Sequence, residues 1–128
     1  MSTWPDYFPE NCPPKEAVRR ELIVYRLVSA HGPSAADFVS GVLLPENTAA
    51  RKTACRDFAL SVYTDLKHAK RLLKSQRATR PMGIAVGTIR MESGVIEASP
   101  SNAFRSHHSW WLHEGIDPSS DFRMVDLD

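Results

Sequence analysis

Leu22-Ile23-Val24-Tyr25-Arg26-Leu27-Val28 is the stretch on which the fold reading turns. β-Branched and aromatic side chains dominate it, and Ser29 with His31-Gly32-Pro33 closes it, so it reads as a strand. Its nearly unbroken apolarity predicts an interior strand covered on both faces, because a strand with one wet face alternates. Arg26 breaks the pattern. It carries a permanent charge into that setting, which is costly unless the charge is paired or meets an anion.

Working outward, Phe58-Ala59-Leu60-Ser61-Val62-Tyr63 reads as a second strand and runs straight into Thr64–Lys74. There Leu66, Ala69, Leu72 and Leu73 recur at helical spacing, with Thr64 as a possible cap and Asp65 at the positive helix end. Pro33–Phe38 begins a short helix capped by Ser34, which stops by Gly41 or Pro45. Residues 45–54 have loop composition with helical character around Thr48–Thr53. Met82–Ile89 reads as a third strand, Arg90–Gly94 as a turn, and Val95-Ile96-Glu97-Ala98 as the returning arm of a hairpin. Ser99–Ser120 reads as irregular, and Phe122–Leu127 alternates like a half-buried last strand. The predicted fold class is α+β: a small mixed or antiparallel sheet with two or three short helices in one domain.

Length and composition agree with one domain. The chain has 128 residues, 42% hydrophobic and 24% charged, which suits one globular core and excludes fibrous or disordered architectures. A net charge of +1 provides no global attraction to nucleic acid or membrane. Residues 1–15 hold four of the nine prolines and read as an extended leader whose Trp4, Tyr7 and Phe8 can lie across the domain formed by residues 16–128. The N-terminus lacks the pattern of a signal peptide, and no stretch nears the ~20 apolar residues of a membrane span, so a cytoplasmic location is expected. The two cysteines, Cys12 and Cys55, could form one disulfide, but so sparse a pattern makes reduced thiols the default expectation.

Chemistry concentrates in Ser106-His107-His108-Ser109-Trp110-Trp111-Leu112-His113-Glu114, which holds three of the five histidines and two of the three tryptophans. In one reading, Trp110 or Trp111 plugs the open end of the sheet while the histidines bind backbone carbonyls. In the other, the segment lines a pocket, with His107 or His108 acting near neutral pH and Trp110 or Trp111 stacking on a ligand. No metal site is expected, because adjacent histidines on an extended chain point apart. Arg26 is either paired with a carboxylate such as Glu97 or Asp65, or placed to recognise phosphate or carboxylate. Ser61 and Tyr63 share one face of their strand just before a helix start, a frequent pocket geometry and equally ordinary capping. Lys67, Lys70, Arg71, Lys74, Arg77 and Arg80 form the marked cationic cluster, either a solvated helix face or a footprint for nucleic acid or an acidic protein.

Tyr25-Arg26 on a first strand, Leu60-Ser61-Val62-Tyr63 leading into a helix, and a late polar and aromatic segment together resemble the layout of ADP-ribosyltransferase-like domains. The resemblance spans about Leu22 to Trp111. It implies an NAD-cradling site with Arg26 on the first core strand and Ser61 or Tyr63 on a later one. The third position, commonly Glu in such domains, would fall to Glu97, His107 or His108, since no Glu-x-Glu occurs. The whole chain also looks similar to small bacterial proteins with Tyr-Arg, Ser-Val-Tyr-Thr and His-His-Ser-Trp-Trp-like segments, which implies no particular activity.

The leading functional expectation is therefore one anionic, nucleotide-like ligand pocket. Arg26, Ser61, Tyr63, Trp110 and Trp111 would bind there, and His107, His108 and Glu97 would supply any catalysis. The alternatives are a non-enzymatic module acting through the basic helix face, and an accessory protein that meets its partner through the leader.

Overall fold

The computed structural model describes residues 3–40, 54–76 and 81–127. Six strands and one α-helix follow one another as β1 (Leu22–Ser29), β2 (Leu60–Tyr63), α1 (Leu66–Gln76), β3 (Met82–Ile89), β4 (Gly94–Ala98), β5 (His107–Leu112) and β6 (Phe122–Met124). The strands form one antiparallel sheet in the order β4-β5-β2-β1-β3-β6, so the protein is a small single-domain α+β fold. The expected helix at Pro33–Phe38 is a single 3-10 turn, Ala35–Phe38, closed by the Asp37 carboxylate, which accepts from the Ser34 and Ser29 amides. The helical character expected at Thr48–Thr53 lies outside the described residues, as do Arg77 and Arg80.

β1 is interior, but the expected cover on both faces is incomplete: Ile23, on the outer face beyond the reach of α1, is 62% exposed. β1 pairs along its whole length with β3. Against β2 it has one registered pair, Tyr25 with Tyr63. The sheet bends there. Trp110 of β5 and Phe122 of β6 lie four strand intervals apart, roughly 19 Å on a flat sheet, yet their ring centroids are 6.0 Å apart. The halves β4-β5-β2 and β1-β3-β6 have therefore folded toward each other around one inner face. Val24, Val28, Leu60, Val62, Ala85, Ile89, Ile96, Trp110 and Phe122 fill that face, with Phe38 closing it. At Gly87 a Cβ would stand 2.4 Å from the Phe122 ring, so the missing side chain lets β6 dock. On the outer face, α1 buries Ala69 and Leu73 against Ile84, with Tyr25 and Leu27 beside them.

Three local expectations change. Val95–Ala98 does not return on β3; β4 pairs with β5 at the far edge, because closing the core requires Ile96 beside Trp110. Ser99–Ser120 is not irregular throughout. His107–Leu112 is a strand that buries Ser109, Trp110 and Trp111, and its polar residues had hidden the alternation. Asp65 rather than Thr64 caps α1, its Oδ1 accepting the Lys67 amide at 2.8 Å, while the Thr64 amide donates to the Ser106 carbonyl.

Cys12 and Cys55 form a disulfide with Cα atoms 5.4 Å apart, which replaces the expectation of reduced thiols. Sequence spacing cannot reveal this pair, since 43 residues separate the cysteines and tertiary packing brings them together. The bond anchors the leader. Trp4 stacks on His113 at 4.2 Å, Phe8 lies 5.9 Å from Phe58, and the Val18 and Ile96 backbones bridge. Among the described residues no helix is long and apolar enough to cross a membrane.

Trp110 is fully buried with its Nε1 lacking a hydrogen-bond partner among the described residues. Trp110→Ala should cost about 3–5 kcal/mol in urea unfolding. Trp110→Phe should cost clearly less, because it also removes the unpaired N–H, itself a penalty of roughly 1–3 kcal/mol. Equal losses in the two variants would contradict this account of the core. Replacing Cys12 and Cys55 together by Ser should lower stability by about 2–4 kcal/mol and make the melting temperature insensitive to reductant.

Candidate functional site

Strand alternation sorts the candidate residues onto two faces. Arg26, His108 and Trp110 belong to the inner face, with Val24, Val62 and Ile96. Ser61, Tyr63, Glu97, His107 and Trp111 belong to the outer face of the β4-β5-β2 half. One cleft collecting all eight does not form, because neighbouring residues such as His107 and His108 must diverge on a strand.

Trp110 and Trp111 are both fully buried, so neither presents a ring face for stacking on a ligand. Trp110 fills the core, and Trp111 donates its Nε1–H to the Cys55 carbonyl at 3.0 Å beneath the disulfide. His108 is held locally, its Nδ1 2.8 Å from the Ser106 carbonyl oxygen. Glu97 pairs with Arg56 at 3.6 Å rather than with Arg26. Asp65 does not pair with Arg26 either; it caps α1 and lies 3.9 Å from His68.

The partners of Arg26 are backbone carbonyls. Its Nε donates to the Asp37 oxygen at 2.9 Å and one Nη to the Ser61 oxygen at 2.8 Å, with the Phe38 ring beside the guanidinium. The side chain thus enters the place where β1 and β2 part, and supplies the donor that a continued ladder would have provided. Burial lowers its pKa to about 10, while Asp37 and Tyr63 act in the opposite sense, so it stays charged at neutral pH. Among the described residues it makes no ion pair.

On the outer face the geometry is convergent. Ser61 Oγ lies 2.9 Å from His107 Nε2. His107 Nδ1 lies 3.0 Å from the Ser99 carbonyl oxygen and 2.8 Å from Ser99 Oγ, which in turn lies 2.8 Å from Ser109 Oγ. A carbonyl oxygen can only accept, so Nδ1 carries the proton and the neutral ring offers a bare Nε2 to the Ser61 hydroxyl. Tyr63 flanks the ring at 5.3 Å and is buried against Phe104. Desolvation pushes the Tyr63 phenol up, with Arg26 opposing it. Desolvation also lowers the His107 pKa, helped by the charges of His108 and Arg56 and opposed by the bond to Ser99.

Ser99 and Arg56 were not candidates in the sequence. Ser99 lies eight residues from His107 in a segment read as irregular, and Arg56 gave no periodic signal. A cavity of about 170 Å³ at the end of the sheet, lined by Tyr7, Phe8, Phe38, Phe58, Leu112 and neighbours, includes none of the candidate site residues. Among the described residues no cluster of three or more His, Cys, Asp or Glu is close enough to hold a metal ion. Comparison with protein-family models, curated proteins and solved structures gave no match.

His107 provides a stability signature with a definite sign. Its pKa is below 6.5 when folded, so between that value and 6.5 the unfolded chain binds more protons. Stability should therefore fall as pH drops from 7 through this window. His107→Asn should remove this part of the pH dependence, measured by urea unfolding across pH 5–7.5; an unchanged slope would show that His107 does not titrate with folding.

Proposed function

We propose that the chain binds a small anionic, nucleotide-like ligand where β1, β2 and β5 adjoin, in the manner that its resemblance to ADP-ribosyltransferase-like domains implies, with NAD as the ligand class. One observation carries this reading: Arg26 is a partly buried cation without an ion pair among the described residues. Of the five N–H donors of a guanidinium, two serve backbone carbonyls, and the other three have no partner among the described residues and suit an anion. The neighbouring strands support it. Ser61 of β2 is held from one side through its carbonyl by Arg26 and from the other through its hydroxyl by His107 of β5. Arg26 reads the phosphates from the inner face, where β1 and β2 part. Ser61, Tyr63 and His107 stand on the outer face of the neighbouring strands, with His107 in the third position since Glu97 is engaged by Arg56.

Calorimetric and thermal-shift titration with NAD, ADP-ribose and inorganic phosphate tests this. A bound ligand at 100 times its Kd should stabilise the fold by about 2.7 kcal/mol, and Arg26→Lys should weaken binding at least tenfold. No shift with any of the three compounds would reject the reading.

A second reading has its own support. Lys67, Lys70 and Lys74 form an exposed stripe on α1 with no ion pair among the described residues, while Arg71 is engaged by the Ala103 carbonyl and the Phe104 ring. If this stripe binds nucleic acid, changing the three lysines to Gln should flatten the salt dependence of binding by about three units of log-log slope. Unchanged slope would exclude the stripe.

The cytoplasmic placement is likewise a proposal, and the Cys12–Cys55 bond makes it testable. Alkylation of thiols at the moment of cell lysis should trap both cysteines if the protein resides in a reducing compartment.

A further inference from the structure

The geometry points to Ser61 as a nucleophile activated by His107, acting on acyl esters. The inference rests on reading the outer face around His107 as the working site, and adds a reaction to it. An activated serine needs a base within hydrogen-bond reach, a third group orienting that base, and access for the substrate. All three are present. Ser61 Oγ is 2.9 Å from Nε2, the Ser99 carbonyl 3.0 Å from Nδ1 fixes the tautomer, and Ser61 is exposed while Ser109 beside it is buried.

The sheet explains why this pair is more than a chance contact. Ser61 lies directly opposite Ser109, so His107 reaches it from the diagonal position two residues away. Ser99, on the segment leaving β4, holds the far side of the ring. The ring is thus gripped at both nitrogens. The charged or titratable groups around it are Tyr63 and Arg56 from the β2 side, Glu97 from β4 through its pair with Arg56, and His108 on its own strand. Arg56 is the cation whose charge disfavours protonation of the ring, and it is itself paired with Glu97 at 3.6 Å.

In the reaction, Ser61 Oγ bonds to the carbonyl carbon while its proton passes to His107 Nε2. The bond from that carbon to the alcohol oxygen breaks, and the leaving alcohol takes the proton from Nε2. Water then attacks the acyl-serine, with His107 accepting its proton and returning it to Ser61 Oγ. Ester and water become acid and alcohol.

The test uses the full chain and a fluorophosphonate probe, with the modified residue mapped by mass spectrometry. Ser61 should be labelled, Ser61→Ala should abolish labelling with an unchanged melting temperature, and His107→Gln should slow it by about 100-fold or more. If His107→Gln does not fold, the wild-type rate should still rise with pH through a midpoint below 6.5, as a neutral base requires. Absence of labelling on the folded protein, labelling at another residue, or a rate indifferent to His107 and to that pH window would overturn the inference. Should the probe fail while NAD or phosphate still binds, the nucleophile alone is rejected; labelling of Ser61 without any anion binding rejects the anion reading instead.

Discussion

The bend between β1 and β2 is the constraint from which the rest of the architecture follows. Two antiparallel strands that share a single registered pair leave backbone carbonyls without ladder partners, and a buried carbonyl without a donor is costly. Arg26 meets that need by reaching both the Ser61 carbonyl and the Asp37 carbonyl. It thereby joins β2 to the 3-10 turn whose Phe38 closes the core. The bend in turn brings Trp110 against Phe122, and among the described residues a six-stranded sheet encloses its own apolar centre without a second layer of helices on that side.

The two faces of the sheet consequently have different chemistry. The inner face is apolar apart from Arg26 and His108, and its polarity is concentrated where the strands part. The outer face divides between an apolar half under α1 and a half that carries the line Ser61, His107, Ser99 and Ser109. Hydroxyl and imidazole groups are satisfied there by one another and by backbone, so the strip is ordered without being filled. The leader covers the adjoining region, where the disulfide and the Trp111 bond to Cys55 hold it in place.

Much of the fold was legible because it rests on local rules. Runs of β-branched, aromatic and other apolar residues marked β1, β2 and β3, and helical spacing marked α1. The errors arose where local composition misrepresents tertiary role. A strand beginning His-His-Ser looks like a loop until its partners are known, and β4 adjoining β3 in sequence looks like a hairpin until the bend carries it to the far edge. The candidate site was partly legible for the same reason. Ser61 and Tyr63 were placed on one face by alternation alone, and His107 was separated from His108 by the same rule. Arg26 was recognised as anomalous, but its carbonyl partners were not, since hydrogen bonds between distant backbone groups leave no trace in residue type.

By itself, the sequence determined the strands β1, β2 and β3 and the helix α1, the charge set into the first strand and the concentration of His and Trp near the end of the chain. Those features follow from side-chain chemistry and periodicity, which act within a few residues. The tertiary structure alone decided that Cys12 meets Cys55, that both tryptophans of the late segment are buried, and that His107 faces Ser61 while Arg26 reaches the same residue through its carbonyl. These are contacts across 35 to 56 residues of chain, set by how the sheet bends around its core.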